Sequence, residues 1–99
     1  MKKRSVSCAC PLIPNTTQTT GLAANSDRTY LFIRNYTAGD IAIGLDGQAL
    51  SAVTPSANGA LILKTLEWYE STDNTCPTNA ITVYQASGSP TSSILFVEA

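Results

Sequence analysis

The sequence predicts an all-β protein, a small antiparallel β-sandwich or barrel of about six or seven strands with an extended N-terminal arm. Three observations predict it. From Arg28 onward, short runs rich in Ile, Leu, Val, Tyr and Phe recur at strand length. Turn signals separate them: Asp46-Gly47, Asn58-Gly59 and Ser87-Gly88-Ser89-Pro90. Finally, 99 residues leave room for one modest core and little else.

Residues 1–26 read as the arm and 27–99 as the β-sandwich domain. Within the arm, Pro11 and Pro14 bracket Leu12-Ile13, and a Thr-rich stretch runs from Asn15 to Gly21. Proline fixes the chain extended and removes donors, and threonine favours extended over helical backbone. The first strand is Arg28 to Asn35. Leu31 and Ile33 point to one side and Tyr30 and Phe32 to the other, so both faces are apolar, as in a central or interface strand. Asp40 to Leu45 follows, with Ile41, Ile43 and Leu45 inward and Ala42 and Gly44 outward. Asp46-Gly47 supplies a tight hairpin turn into a weaker strand, Ala49 to Thr54.

Ala60 to Glu70 is ambiguous. Ile62, Leu66 and Tyr69 would share a helical face, whereas a strand would align Ile62, Leu66 and Trp68. The β character of every neighbour favours strand. Thr72 to Asn79 is a loop, Ala80 to Ala86 a strand with Ile81 and Val83 inward, and Ser93 to Glu98 the last strand.

Charged residues are 13% of the chain, about half the usual share of a soluble domain. The polar character comes from 13 Thr, 10 Ser and 6 Asn. Three of the six basic residues, Lys2, Lys3 and Arg4, cluster at the start; the remainder carries three basic against seven acidic groups. That basic tip can dock on an acidic surface, but an acidic body without a reading motif argues against sequence-specific nucleic-acid binding. Polar residues after Arg4 do not fit a signal peptide, and no apolar stretch is long enough for a membrane span.

Chemistry is sparsely equipped. There is no His, so a cysteine nucleophile lacks its usual base, and Cys8, Cys10 and Cys76 cannot complete a four-ligand zinc site in one chain. A bridge from Cys76 to Cys8 or Cys10 remains open. Glu67, Glu70 and Asp73 read as solvated surface more readily than as a glycosidase pair. No enzyme activity, metal or cofactor is expected. Trp68, Tyr69 and Tyr84 could offer a sugar-stacking platform, but adjacent strand residues face opposite sides, so Trp68 and Tyr69 cannot share one. Asn15-Thr16-Thr17 and Asn35-Tyr36-Thr37 match the N-glycosylation pattern, which has no meaning without export.

The series Arg28-x-x-Leu31-x-Ile33-x-Asn35, Ile41-x-Ile43-Gly44-Leu45-Asp46-Gly47, Ala80-Ile81-x-Val83 and Ile94-x-Phe96-x-Glu98 resembles small tailed-bacteriophage virion proteins of the capsid cement or decoration type. The likeness spans about residues 25–99. It implies a structural protein located in the virion and assembled in the host cytoplasm. Its partners would be the major capsid protein or other virion subunits, and it would form a dimer or trimer. The arm, through Lys2, Lys3, Arg4, Leu12 and Ile13, would bind a neighbouring capsomer. Tyr30, Phe32, Trp68, Tyr69 and Tyr84 are the interface candidates. The competing expectation is a carbohydrate- or receptor-binding module, or a head–tail or tail-associated one.

Overall fold

A computed structural model of the chain describes residues 6–14, 17–53, 59–72, 75–85 and 90–99. Among the described residues, eight antiparallel strands form two four-stranded sheets. They are β1 (Ser7–Ala9), β2 (Thr19–Leu22), β3 (Tyr30–Asn35), β4 (Ile41–Gly44), β5 (Leu61–Leu63), β6 (Trp68–Thr72), β7 (Ile81–Gln85) and β8 (Ile94–Glu98). Sheet 1 runs β1-β8-β3-β6 and sheet 2 runs β2-β7-β4-β5. Only the β4–β5 connection joins neighbours within one sheet; every other consecutive pair passes from one sheet to the other.

The alternation read in the sequence places the core. On β3, Leu31, Ile33 and Asn35 are buried while Tyr30, Phe32 and Arg34 are half-buried. Ile41 and Ile43 of β4, Ile81 and Val83 of β7, and Ile94 and Phe96 of β8 meet them between the sheets. Each such side chain contributes about 1.5–3 kcal/mol relative to its exposed state.

The described part of the expected arm does not stand apart from this body. β1 pairs with β8 through Cys8↔Val97, and β2 pairs with β7 through Thr20↔Thr82. Between them Ile13 exchanges backbone hydrogen bonds with Thr91, at 2.6 and 3.0 Å. Ile13 and Leu22 belong to the same core cluster as Ile33 and Phe96. The arm therefore serves as the fold's fourth strand pair, crossing from the edge of sheet 1 to the edge of sheet 2. Its basic tip, Lys2 to Arg4, lies outside the described residues.

Gly21 makes that crossing fit. The Phe96 ring packs where a Cβ on residue 21 would stand, so any larger residue there pushes the ring out of the core. The β2–β7 register shifts between Thr20 and Leu22, beside this contact.

Two further expectations are corrected. The segment 49–53 is not a strand; it lies over the outer face of sheet 2, where Leu50 and Ala60 pack with Ala42 against Ile62 and Tyr84. Thr82 donates its hydroxyl hydrogen to the Gln48 carbonyl, and the Gln18 side-chain carbonyl accepts from the Leu50 N–H. Ala42 and Gly44, read as outward-facing, do face outward but are buried by this sheath. Residues 60–70, in turn, form neither a helix nor one strand. They divide into β5 of sheet 2 and β6 of sheet 1, joined by a turn in which the Glu67 N–H reaches the Lys64 carbonyl at 2.9 Å. Leu66 takes a left-handed φ of 70° there. Its N–H is held by the Asn35 carbonyl at 2.6 Å, and the Asn35 N–H by the Glu67 carbonyl at 3.0 Å, so the β3–β6 ladder dictates the conformation.

One end of the sandwich is tied by Arg28. Its buried guanidinium donates to Glu98 Oε1 at 2.9 Å, to the Pro77 and Asn79 carbonyls at 2.8 and 3.1 Å, and to the Ala23 carbonyl at 2.8 Å. Arg28→Ala strips four acceptors of their donor and is expected to lower unfolding free energy by about 3–5 kcal/mol, measured by urea denaturation. A Lys64→Ala control, at an exposed position, should change it by less than about 0.5 kcal/mol. Gly21→Ala is expected to cost about 1–3 kcal/mol in the same assay, through overpacking against Phe96.

Candidate interaction face

Sheet 1 leaves its outer face open, and this is the feature that separates it from sheet 2. No described segment lies across it as 48–53 and 60 lie across sheet 2. Cross-strand registers order its side chains into rows. Cys8, Val97, Phe32 and Glu70 form one row across β1, β8, β3 and β6. Leu95, Arg34 and Trp68 form the next. Neighbours in such rows have Cβ atoms about 4.5–5.5 Å apart, so the side chains are in contact across the strands.

Trp68 is 59% exposed and Tyr36, just past the end of β3, is 48% exposed. The Arg34 guanidinium carbon lies 5.1 Å from the Tyr36 ring centre and 5.4 Å from that of Trp68. Arg34 also donates from Nε to the Leu66 carbonyl at 3.2 Å. At an exposed site each cation–π contact is worth roughly 0.5–1 kcal/mol, a modest bias toward this arrangement. Among the described residues the one ion pair is Arg28–Glu98, so no described carboxylate pairs with Arg34.

At the other side of the face the Tyr30 hydroxyl donates to Glu70 Oε2 at 2.8 Å. That hydrogen bond, followed by desolvation and the Glu70 charge, raises the Tyr30 phenol above its ordinary value. The neutral phenol is the form the folded protein favours. Its contribution to stability is complete below the unfolded phenol's pKa of about 10 and is lost as pH rises through the raised value.

The residues singled out in the sequence fall in different places. Tyr30, Phe32 and Trp68 share the open face of sheet 1. Tyr69 turns inward and packs against the core, and Tyr84 lies on sheet 2 beneath its sheath. Trp68, Tyr69 and Tyr84 therefore form no common platform. Leu12 is 68% exposed, but Ile13 is fully buried and its carbonyl accepts from Gln85 Nε2 at 3.3 Å, which corrects its reading as a partner contact.

Arg34, Tyr36, Leu95, Val97 and Glu70 were not singled out by the sequence reading. Alternation was the available signal, since Arg34 follows Tyr30 and Phe32 at spacing two and Leu95 and Val97 are the outward partners of Ile94 and Phe96.

The remaining candidate chemistry is occupied in structural roles. Glu67 Oε1 accepts from the Lys64 N–H at 2.7 Å within the β5–β6 turn, Glu70 holds Tyr30, and Asp73 lies outside the described residues. Among the described residues no group of three His, Cys, Asp or Glu side chains could hold a metal ion.

All three cysteines are free. Burial pushes the Cys76 thiol up, partly opposed by the Arg28 charge and reinforced by that of Glu98. The Asn35 amide, within a glycosylation pattern, is fully buried and donates to the Gly39 and Leu63 carbonyls at 2.8 and 2.9 Å, so it is not an accessible acceptor.

No protein-family model matches the chain, and no curated protein or solved structure matches it either.

Glu70→Gln removes the acceptor charge beside Tyr30. Tyrosine titration followed by ultraviolet absorbance or NMR should then show the Tyr30 midpoint falling toward the ordinary value of about 10. The other three tyrosines serve as internal references.

Proposed function

We propose that this chain is a structural virion protein of the capsid cement or decoration type, which stabilises a tailed-phage head by bridging neighbouring capsid subunits. The observation that carries the reading is the asymmetry of the two outer faces. Sheet 2 is sheathed by the chain's own 48–53 segment, whereas Phe32, Leu95, Val97 and Trp68 stand on the open face of sheet 1. A surface with few charges can be buried against another subunit without desolvating many ions, and depleted charge marks the centre of protein interfaces. The resemblance of the β-body sequence to small virion proteins supplies the type of partner, namely the major capsid protein or another virion subunit.

In this reading Lys2, Lys3 and Arg4 pair with acidic groups on an adjacent capsomer. The sandwich beneath them is a rigid spacer, since β1 and Ile13 root the tip in the core. Function is mechanical: area buried across subunit boundaries resists separation of the capsid lattice under internal DNA pressure.

A second reading has one observation in its favour. An exposed Trp68 beside Arg34 and Tyr36 is a surface on which a sugar ring can stack, as a carbohydrate- or receptor-binding module would require.

Particles of the phage that carries the gene are expected to contain this chain at a copy number comparable to the major capsid protein. Particles stripped of it should release DNA at a lower temperature, and a Lys2→Ala/Lys3→Ala/Arg4→Ala variant should rebind stripped heads more weakly. Particles without the chain, or with unchanged release temperature, overturn the reading. Glycan binding lost in Trp68→Ala, with particle assembly intact, would favour the second one.

A further inference from the structure

We propose that the open face of sheet 1 seats a second copy of this chain, face to face across a two-fold axis. Arg34 of each copy then meets Glu70 of the other. This deepens the structural-subunit reading and rests on it only for the premise that the face is an interface.

Four side chains at the outer end of the face define the geometry. Phe32 stands opposite Glu70, and Arg34 stands opposite Trp68, on the neighbouring strands β3 and β6. They form a rectangle of about 4.8 by 6.6 Å, the strand spacing and a two-residue rise. One diagonal joins the two large rings, Phe32 and Trp68. The other joins the cation and the anion.

A two-fold axis laid along the ring diagonal sets Phe32 against Phe32 and Trp68 against Trp68 of the second copy. The same rotation exchanges the charged corners, so the strand position of each Arg34 lies over that of the opposing Glu70. It also lays Val97 over Tyr30 of the second copy. Strands of the two copies then cross at roughly 70°, toward the orthogonal class of sheet packing. This is the isologous arrangement that closed dimers use.

Charge selects this occupant over others. The rectangle carries one positive and one negative group and is complementary to itself. Nucleic acid or an acidic surface would meet Glu70 as well as Arg34, on a body with three basic and seven acidic residues after Arg4. Among the described residues Arg34 is held in place without a carboxylate of its own, and Glu70 Oε2 accepts from the Tyr30 phenol. Neither has an ionic partner among the described residues.

Sedimentation velocity on the purified full-length chain, across a concentration series, tests this without any particle present. The wild type is expected to dimerise. Arg34→Glu and Glu70→Arg should each weaken the dimer about tenfold or more, because like charges then oppose one another. Mixing these two variants is the decisive step. One carries two acids at the contact and the other two arginines, so the mixture should form a heterodimer at least as stable as the wild-type dimer. Trp68→Ser supplies an uncharged probe at an exposed position and should also favour monomer.

A wild type that stays monomeric, single variants that dimerise like the wild type, or a mixture that stays monomeric would each overturn the proposal. Circular dichroism and melting curves establish that each variant is folded. Particle binding by the charge variants, measured separately, distinguishes failure of the dimer from failure of the virion reading.

Discussion

The buried Arg28 guanidinium is the constraint on which one whole end of the sandwich depends. A desolvated charge is tolerated only where its hydrogen-bonding groups are met and an opposite charge is close. Here the acceptors come from three separate stretches: Ala23 before β3, Pro77 and Asn79 between β6 and β7, and Glu98 at the end of β8. Glu98 is further engaged by Asn25 Nδ2 at 3.1 Å. Among the described residues no buried side-chain polar atom lacks a partner. The network therefore sets where β8 ends, and β8 is the strand that lies between β1 and β3. Position of the ladder and position of the ion pair are one requirement.

The opposite constraint is steric. Because β1 and β2 belong to different sheets, the chain between them has to cross the side of the core, and Ile13 fills that crossing with its backbone paired to Thr91. Gln85 covers the same passage by donating to the Ile13 and Pro14 carbonyls. Phe96 reaches from sheet 1 onto Gly21 of sheet 2, which fixes how closely the two edges approach. These contacts make the N-terminal residues part of the load path between the sheets, in contrast to an appended tether.

Four strands were legible because their inward residues alternate and carry most of the core: β3, β4, β7 and β8. β1 and β2 were not, since Ser-Cys-Ala and Thr-Thr-Gly-Leu contain almost no apolar periodicity; their strand character comes from partners about sixty to ninety residues away. Arg28 looked like the polar start of a strand, and nothing local announces the four acceptors assembled around it. Asn35 stood in the sequence as the end of a strand carrying a glycosylation pattern; it is a buried organiser of the β3–β4 turn, with its side-chain oxygen accepting from Thr37. The division of residues 60–70 was hidden because a leucine occupies the left-handed position of the turn, where glycine would have announced it. The open face itself was half legible: Tyr30, Phe32 and Trp68 were visible by alternation, whereas the uncovered state of sheet 1 depends on where segment 48–53 chooses to lie.

The placement of β8 has a consequence for synthesis in the cell. About 60 residues separate the end of β3 from the strand that pairs with it on that side. A ribosome adding roughly 5–20 residues per second takes on the order of 3–12 s to deliver them. Throughout that interval β1 lacks its neighbour β8, and the flank of β3 that β8 will cover is unpaired. The nascent chain must keep two unmatched edges from capturing each other, or those of neighbouring polysomes, until β8 is delivered. β1, at three residues, is too short to be a good template for strand pairing and is suited to that wait.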